Sequence, residues 1–244
     1  MNFFGGTSGL QIPIPKREFP AIHQDRSRLG YYALLENSLE VNSSFYKLPR
    51  SKTIAKWVDE VPPHFRFTFK LWKEITHEKS LLFSSSALED FMNALAPVES
   101  RKGTLLLQFP PSLHYPAFSQ LRELLTLLSN YTWPVAVEFR HSSWYNDRVY
   151  DLLYQHRAAL VLQDMPSSHT PMELTADSWV YLRFHGPEGR YKGSYSDQVL
   201  HEYASYISEW LADGKTVYTY FNNTAGAALQ DLQRLKYFLN GHNG

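Results

Sequence analysis

The chain contains no cysteine, which excludes disulfides, thiolate metal sites and cysteine nucleophiles and fits a reducing compartment. No apolar run approaches the roughly 20 residues a membrane-spanning helix needs. The opening MNFFGGTSGLQIPIPKREF lacks the basic segment and apolar stretch of a secretory signal. Net charge is also missing, with 24 Lys and Arg against 24 Asp and Glu in 244 residues, so no global field recruits nucleic acid or an anionic membrane. Such binding would need a local patch. Without a low-complexity tract, an internal repeat or a linker, nothing divides the chain. The expectation is a soluble cytoplasmic protein forming one domain over 1–244, long enough to bury a large core.

What the chain does have is aromatic mass, 15 Phe, 16 Tyr and 6 Trp, suited to filling the interface between a sheet and covering helices. Eight apolar runs of strand length recur, at 2–8, 38–43, 66–72, 104–109, 135–140, 159–165, 180–185 and 217–223. Side chains alternate faces along a strand. In 135–140, Val135, Val137 and Phe139 therefore share one face, and Ala136, Glu138 and Arg140 the other. The same parity groups Glu40 with Asn42, Arg66 with Thr68 and Lys70, Arg183 with Tyr181 and His185, and Asn222 with Tyr218 and Tyr220.

Between the runs lie helical patterns at 27–37, 51–60, 84–96, 116–130, 146–157, 196–213 and 225–239, with Leu121, Leu124, Leu125 and Leu128 on one helical face. Ser51 and Ser84 read as N-caps and Gly214 as a stop. Strand–helix alternation implies parallel strands with right-handed crossovers. Eight such strands favour closure, giving an α/β fold: a single TIM-type (β/α)8 barrel. The exception is PSSHTPMELTAD at 166–177, where prolines and the absence of a helical period predict an irregular connection after strand 6.

Seven segments also occur in an order that resembles one family: GTSG, LEVNSSFYKLP, FRFTFK followed by ITHEK, LLLQFPPS, VAVEFRHSSW, YLRFHG and YTYFNN. The chain resembles the YecE-like barrels along essentially its whole length. The resemblance implies a TIM-type barrel and carries no assigned chemistry. Family members usually have an aromatic after GTSG, where this chain has Leu10 and then QIPIPKREFP, so the shape of the first strand–helix loop is not carried over.

Barrels of this type hold their sites at the C-terminal mouth. The strand ends there supply Glu40, Asn42, Lys70, Gln108, Glu138, Arg140, Asp164, Arg183, His185, Asn222 and Asn223, and the loops add Tyr46, His77, His141, Trp144 and Tyr195. Glu138 and His185 are the candidate proton-transfer pair, and Lys70 is the third catalytic candidate, stabilising negative charge or forming a Schiff base. The other strand-end residues, with Tyr46, Trp144 and Tyr195, are candidate substrate contacts. His77 reads as a loop hydrogen-bonder, and the histidines at 23, 114, 156, 169, 201 and 242 as ordinary surface or loop residues.

Inward cations Arg66, Lys70, Arg140 and Arg183 outnumber Glu40, Glu138 and Asp164. The expected ligand is therefore a small anionic or sugar-like molecule held by arginine forks. Any single inward charge can equally be scaffold, Glu138 pairing with Arg183 or Arg140 and Glu40 with Arg66 or Lys70. Taken together, so many buried charges point to a site.

No cofactor is required. Glu40, Glu138, Asp164 and His185 offer oxygen and imidazole ligands for a divalent metal, but there is no HxH or HExxH pair, and none is assigned. A phosphodiester-cleaving or nucleic-acid-binding barrel, disfavoured by the neutral charge, and a noncatalytic ligand-binding protein are the alternatives. The loop HGPEGRYKGSYS at 185–196 is the expected lid, since phosphate sites in such barrels often use this region.

Overall fold

The computed structural model describes residues 2–241; Met1 and the last three residues of the expected 1–244 domain, His242 among them, lie outside the described residues. Eight strands form one parallel sheet: β1 Phe3–Thr7, β2 Ser38–Val41, β3 Arg66–Lys70, β4 Lys102–Gln108, β5 Val135–Glu138, β6 Ala159–Gln163, β7 Trp179–Phe184 and β8 Thr216–Phe221. Their hydrogen-bonded order, β1-β8-β7-β6-β5-β4-β3-β2, wraps the sheet around until its two edges meet. Most ladders stop one or two residues before the sequence runs do. Among the final polar residues of those runs, Asn42, Arg140 and Asn222 reach the mouth, while His185 stays buried beneath it.

The remaining gap, between β1 and β2, is closed mainly by side chains. Only Ser8 and Glu40 form a backbone bridge there, with the Gly9 amide donating to the Glu40 carbonyl at 2.8 Å. Lower down, the Asn37 amide group donates to Phe3 O at 2.8 Å and accepts from the Gly5 amide at 2.9 Å. The Tyr32 hydroxyl accepts from the Thr7 amide at 2.8 Å and donates to Ser38 O at 3.1 Å. Gly6 is required because a Cβ at this position would lie 2.2 Å from Ser38 O.

The helices are α1 Arg28–Leu35, α2 Ser43–Tyr46, α3 Ser51–Glu60, α4 Lys73–Thr76, α5 Ser85–Ala94, α6 Phe118–Leu128, α7 Asp147–Gln155, α8 Asp197–Ala212 and α9 Ala228–Leu239. No helix joins β6 to β7, as the prolines predicted. Ser27, Asn146 and Ser196 cap α1, α7 and α8 by accepting backbone amides. Ser84 stands at the N-cap position of α5 as expected, with its hydroxyl bonded to Ser86 instead of an amide, whereas Ser51 is the first residue of α3 and Arg50 holds the cap position. Gly214 follows α8 with φ 78, the left-handed stop that glycine permits. Among the described residues no helix is long and apolar enough to cross a membrane.

The outward strand residues pack beneath the helices. Phe67, Phe69, Leu105, Val137 and Phe139 do so on one side, and Phe3, Val180, Leu182, Phe184 and Phe221 on the other. The interior is layered. Phe4, Trp179 and Tyr218 plug the lower end. Above them Tyr220 hydrogen-bonds Ser38 at 2.5 Å and Thr68 at 2.7 Å, and Thr68 bonds Thr104 at 2.9 Å. The buried ion pairs of the interior lie above that hydroxyl layer.

Candidate functional site

The top layer is built around Arg183 from β7. Its Nη2 lies 2.6 Å from Glu40 Oε1 and its Nε 3.0 Å from Glu40 Oε2, while Nη1 donates to Glu138 Oε2 at 2.9 Å. Glu40 also receives the Tyr181 hydroxyl at 2.6 Å and the Ser8 hydroxyl. Arg140 forms an ion pair with Glu138 Oε1. Burial alone would raise both carboxyls. Arg183, with the Ser8 and Tyr181 hydroxyls, reverses this at Glu40, and Arg140 and Arg183 reverse it at Glu138, so both stay ionised below the ordinary glutamate range.

His185, just past β7, extends this network. Its Nε2 lies 2.7 Å from Arg140 Nη2 and 3.3 Å from Arg183 Nη1. Guanidinium groups only donate, so this nitrogen accepts and the ring proton resides on Nδ1, facing Asp164 Oδ1 at 3.4 Å. Burial, with the two arginines adding, outweighs Glu138 and Asp164 and lowers the His185 pKa, leaving the ring neutral. Asp164 is in turn fixed by the His185 amide at 2.7 Å and by the Tyr195 hydroxyl.

Above the network opens a pocket of about 440 Å³ lined by Asn42, Phe45 and Tyr46, by Lys70 and His77, by Gln108, Arg140 and Arg183, and by Tyr191, Asn222 and Thr224. Larger hollows exist, including one of about 570 Å³ at the opposite end beside Trp133 and Trp179. At the mouth, inward residues from β3, β4 and β7 meet residues just past the ends of β5 and β8. The charged groups on this wall are all cationic, because the balancing carboxylates Glu40 and Glu138 lie beneath it.

Lys70 donates to Gln108 Oε1 at 2.7 Å and stands 4.0 Å over the Phe45 ring. Burial, reinforced by Arg183, pushes its pKa down to about 8 against the pull of Glu138 and Glu40. His77 packs edge-on against Phe45 and bonds Thr76 through Nδ1 at 3.0 Å. Burial and then Lys70 push its pKa down to about 4, so its ring is neutral at pH 7.

The structure thus gathers Asn42, Tyr46, Lys70, Gln108, Arg140, Arg183 and Asn222 on one wall. Glu40, Glu138 and His185 converge as well, yet all three are fully buried beneath that wall, so direct proton transfer between Glu138, His185 and a ligand is not what the geometry offers. Four expected contacts belong elsewhere, Asp164 among them, tied to the His185 amide and the Tyr195 hydroxyl and off the pocket wall. Trp144 is buried in the helix layer, stacked 4.8 Å from Phe139, with Nε1 donating to Leu113 O. Asn223 is buried between Gly193 O and Asp231. Tyr195 uses its hydroxyl on Asp164 and the Gly186 amide.

Arg66, counted among the inward cations, begins β3 at the opposite end and covers Phe4, so Glu40 pairs with Arg183 instead. His141 stacks on His114 outside the pocket. The expected lid is pinned rather than free: the Tyr191 carbonyl accepts from Ala225 and the Gly193 carbonyl from Ala227. With Glu40 and Glu138 held by guanidinium groups, no set of three acidic or histidine ligands among the described residues is arranged around a metal position. Sequence reasoning missed Phe45, Thr224 and the Ser8 hydroxyl. Ser8 was legible in GTSG, whereas Phe45, in the single turn of α2, and Thr224, on a turn after β8, carry no face-alternation signal.

Residues 6–243 match a family model described as protein of unknown function DUF72. Among curated relatives, the UPF0759 protein YunF of Bacillus subtilis is 26% identical over 87% of this chain and 86% of its own length. The UPF0759 protein YecE of Escherichia coli K12 is 28% identical over 56% of this chain and 50% of its own. Two solved structures share the architecture. A DUF72 family protein of Enterococcus faecalis V583 superposes with a TM-score of 0.83 at 22% identity, covering 99% of this chain and 97% of the other. One from Thermotoga maritima MSB8 gives 0.76 at 26% identity, covering 98% and 100%.

Proposed function

We propose, for a chain that belongs to the family described as protein of unknown function DUF72, that the barrel mouth is the active site of an enzyme acting on a small anionic substrate. The observation that carries this reading is the convergence of Lys70, Arg140 and Arg183 from three strands on one pocket whose wall holds no carboxylate. Desolvating two arginines is costly unless buried partners compensate. Glu40 and Glu138 supply that compensation from below. Arg183 commits its N–H groups to Glu40, Glu138, His185 and Ser8 and contributes charge, which leaves Arg140 Nη1 and Lys70 Nζ to donate to a ligand. Asn42, Gln108 and Asn222 add neutral hydrogen-bonding groups, and Phe45, Tyr46 and Tyr191 add flat apolar walls. A pocket of about 440 Å³ suits a carboxylated or phosphorylated metabolite.

In this reading Glu138 and His185 are positioning residues. Glu138 holds both guanidinium groups, and the His185 ring, fixed through Asp164, accepts from both. A carboxylate or phosphate entering from above meets donors already oriented, which lowers the ordering cost of binding.

The test is calorimetric titration of the protein with inorganic phosphate, sulfate and small carboxylates at constant ionic strength. Saturable binding is expected. K70Q should weaken it by at least about tenfold, since a hydrogen bond to a charged group contributes about 1.5–3 kcal/mol. Lys70 holds no carboxylate, so this variant should retain its fold. Heats indistinguishable from those of added chloride would remove the basis of the proposal.

A further inference from the structure

We propose that Lys70 is a nucleophilic amine that forms a Schiff base with a small aldehyde or ketone carrying a carboxylate or phosphate group; this rests on the anion-binding reading of the same pocket. Among the interior cations Lys70 differs in its partners. Arg140 and Arg183 are each ion-paired to buried carboxylates, whereas among the described residues Lys70 makes no ion pair and its hydrogen bond goes to the neutral Gln108 amide. A lysine kept purely for charge balance would sit against Glu40 or Glu138, both of which Arg183 already occupies. Its Nζ instead lines the pocket wall beside the two arginines and above the Phe45 ring.

Desolvation and the neighbouring arginine lower the affinity of this amine for its proton, so an appreciable unprotonated fraction exists near neutral pH. The arrangement divides the labour: Arg140, backed by the buried charge of Arg183, holds the anionic group of the substrate, and its carbonyl carbon is presented to Nζ. The amine lone pair forms a C–N bond as the C=O π pair moves onto oxygen. That oxygen then leaves as water with the two amine protons, and C=N replaces C=O. The Gln108 carbonyl oxygen accepts from Nζ at 2.7 Å and orients the amine. No oxidant, reductant or metal enters this balance.

Reductive trapping tests it. Full-length protein is incubated separately with pyruvate, dihydroxyacetone phosphate and acetone, each with borohydride, and the products are peptide-mapped by mass spectrometry. The expected result is an adduct on Lys70 equal to the probe mass less one oxygen. It should appear with one or both anionic probes, be absent with acetone, be suppressed by inorganic phosphate and be lost in K70R. The carboxylate and phosphate arms identify which anion the pocket prefers. Because the adduct site is mapped in the unaltered chain, the result stands even if K70R folds poorly. Saturable phosphate binding without a Lys70 adduct, or labelling confined to exposed lysines such as Lys47 and Lys79, would overturn the nucleophile assignment and leave the anion pocket standing. Absence of both binding and adduct would overturn both.

Discussion

Glu138 shows how one side chain can be indispensable to a site without reaching its ligand. It is buried between two guanidinium groups, so E138Q leaves both arginines short of compensating charge. The expected cost is about 3–5 kcal/mol, the range for breaking a buried pair from one side, measured by urea unfolding at pH 7. A change below about 1 kcal/mol would show that the arginines find other partners. Lys70 is the opposite case. Its folded-state pKa of about 8 lies below the ordinary 10.5, so between those values the unfolded chain binds a proton the folded chain has released. Stability from this residue therefore rises with pH across that window and is lowest at neutral pH. K70M is expected to stabilise the fold at pH 7 on the order of 1–3 kcal/mol, to flatten the alkaline rise, and to lose anion binding. Unfolding curves at stepped pH read all but the last, and calorimetry reads that.

Among the elements, the β1–β2 seam is where closure depends on individual groups. A backbone ladder, with one register shift between β3 and β4, holds every other pair of neighbouring strands, but here Asn37 and Tyr32 substitute side-chain groups for backbone ones. N37A strands the Gly5 amide and the Phe3 carbonyl and is expected to destabilise by about 1–3 kcal/mol. G6A pushes a methyl group against Ser38 O and should cost about 3 kcal/mol, the upper end of ordinary single substitutions. Both should accelerate hydrogen exchange in β1 and β2 ahead of β4–β7. Uniform exchange across the barrel would show that the seam is not the weak joint. The mouth depends on it too, since Ser8 and Glu40, which form the seam's backbone bridge, also hold Arg183.

For the whole molecule, the buried acids make stability depend on pH in two opposed directions. Glu40 and Glu138 are held below their unfolded value of 4.5, so their contribution is fully present above that value and is lost as pH falls beneath it. Glu36, at the other end of the barrel beside Lys236, is pushed up to about 7 by burial against the pull of that lysine. Its folded form binds the proton more tightly, so its contribution grows as pH falls from about 7 to 4.5. His77, pushed down to about 4, and His185, lowered from 6.5, oppose it, because below about 6.5 the unfolded chain binds their protons more tightly. The melting temperature should therefore fall as pH drops below about 6.5, with Glu36 softening the early part of the fall, and collapse as Glu40 and Glu138 protonate. E36Q is expected to steepen the early fall and keep the collapse. An E36Q profile parallel to that of the parent between pH 7 and 4.5 would contradict the Glu36 assignment.

The sequence by itself determined the architecture and most of the pocket wall. Strand parity is a local, two-residue property, so it identified the inward faces, and strand–helix alternation with short connections allows few topologies besides a parallel barrel. Depth and partnership are not local properties. Nothing in VAVEFRHSSW distinguishes a glutamate at the mouth from one beneath it, or shows that Trp144 turns into the helix layer while Arg140 stays inside. Tertiary structure decided those points, because Arg183 is long enough to reach from β7 to both Glu40 and Glu138 and claims the two carboxylates together. That pairing buries the acids, leaves Lys70 without an anionic partner, and so sets which charges face the open mouth.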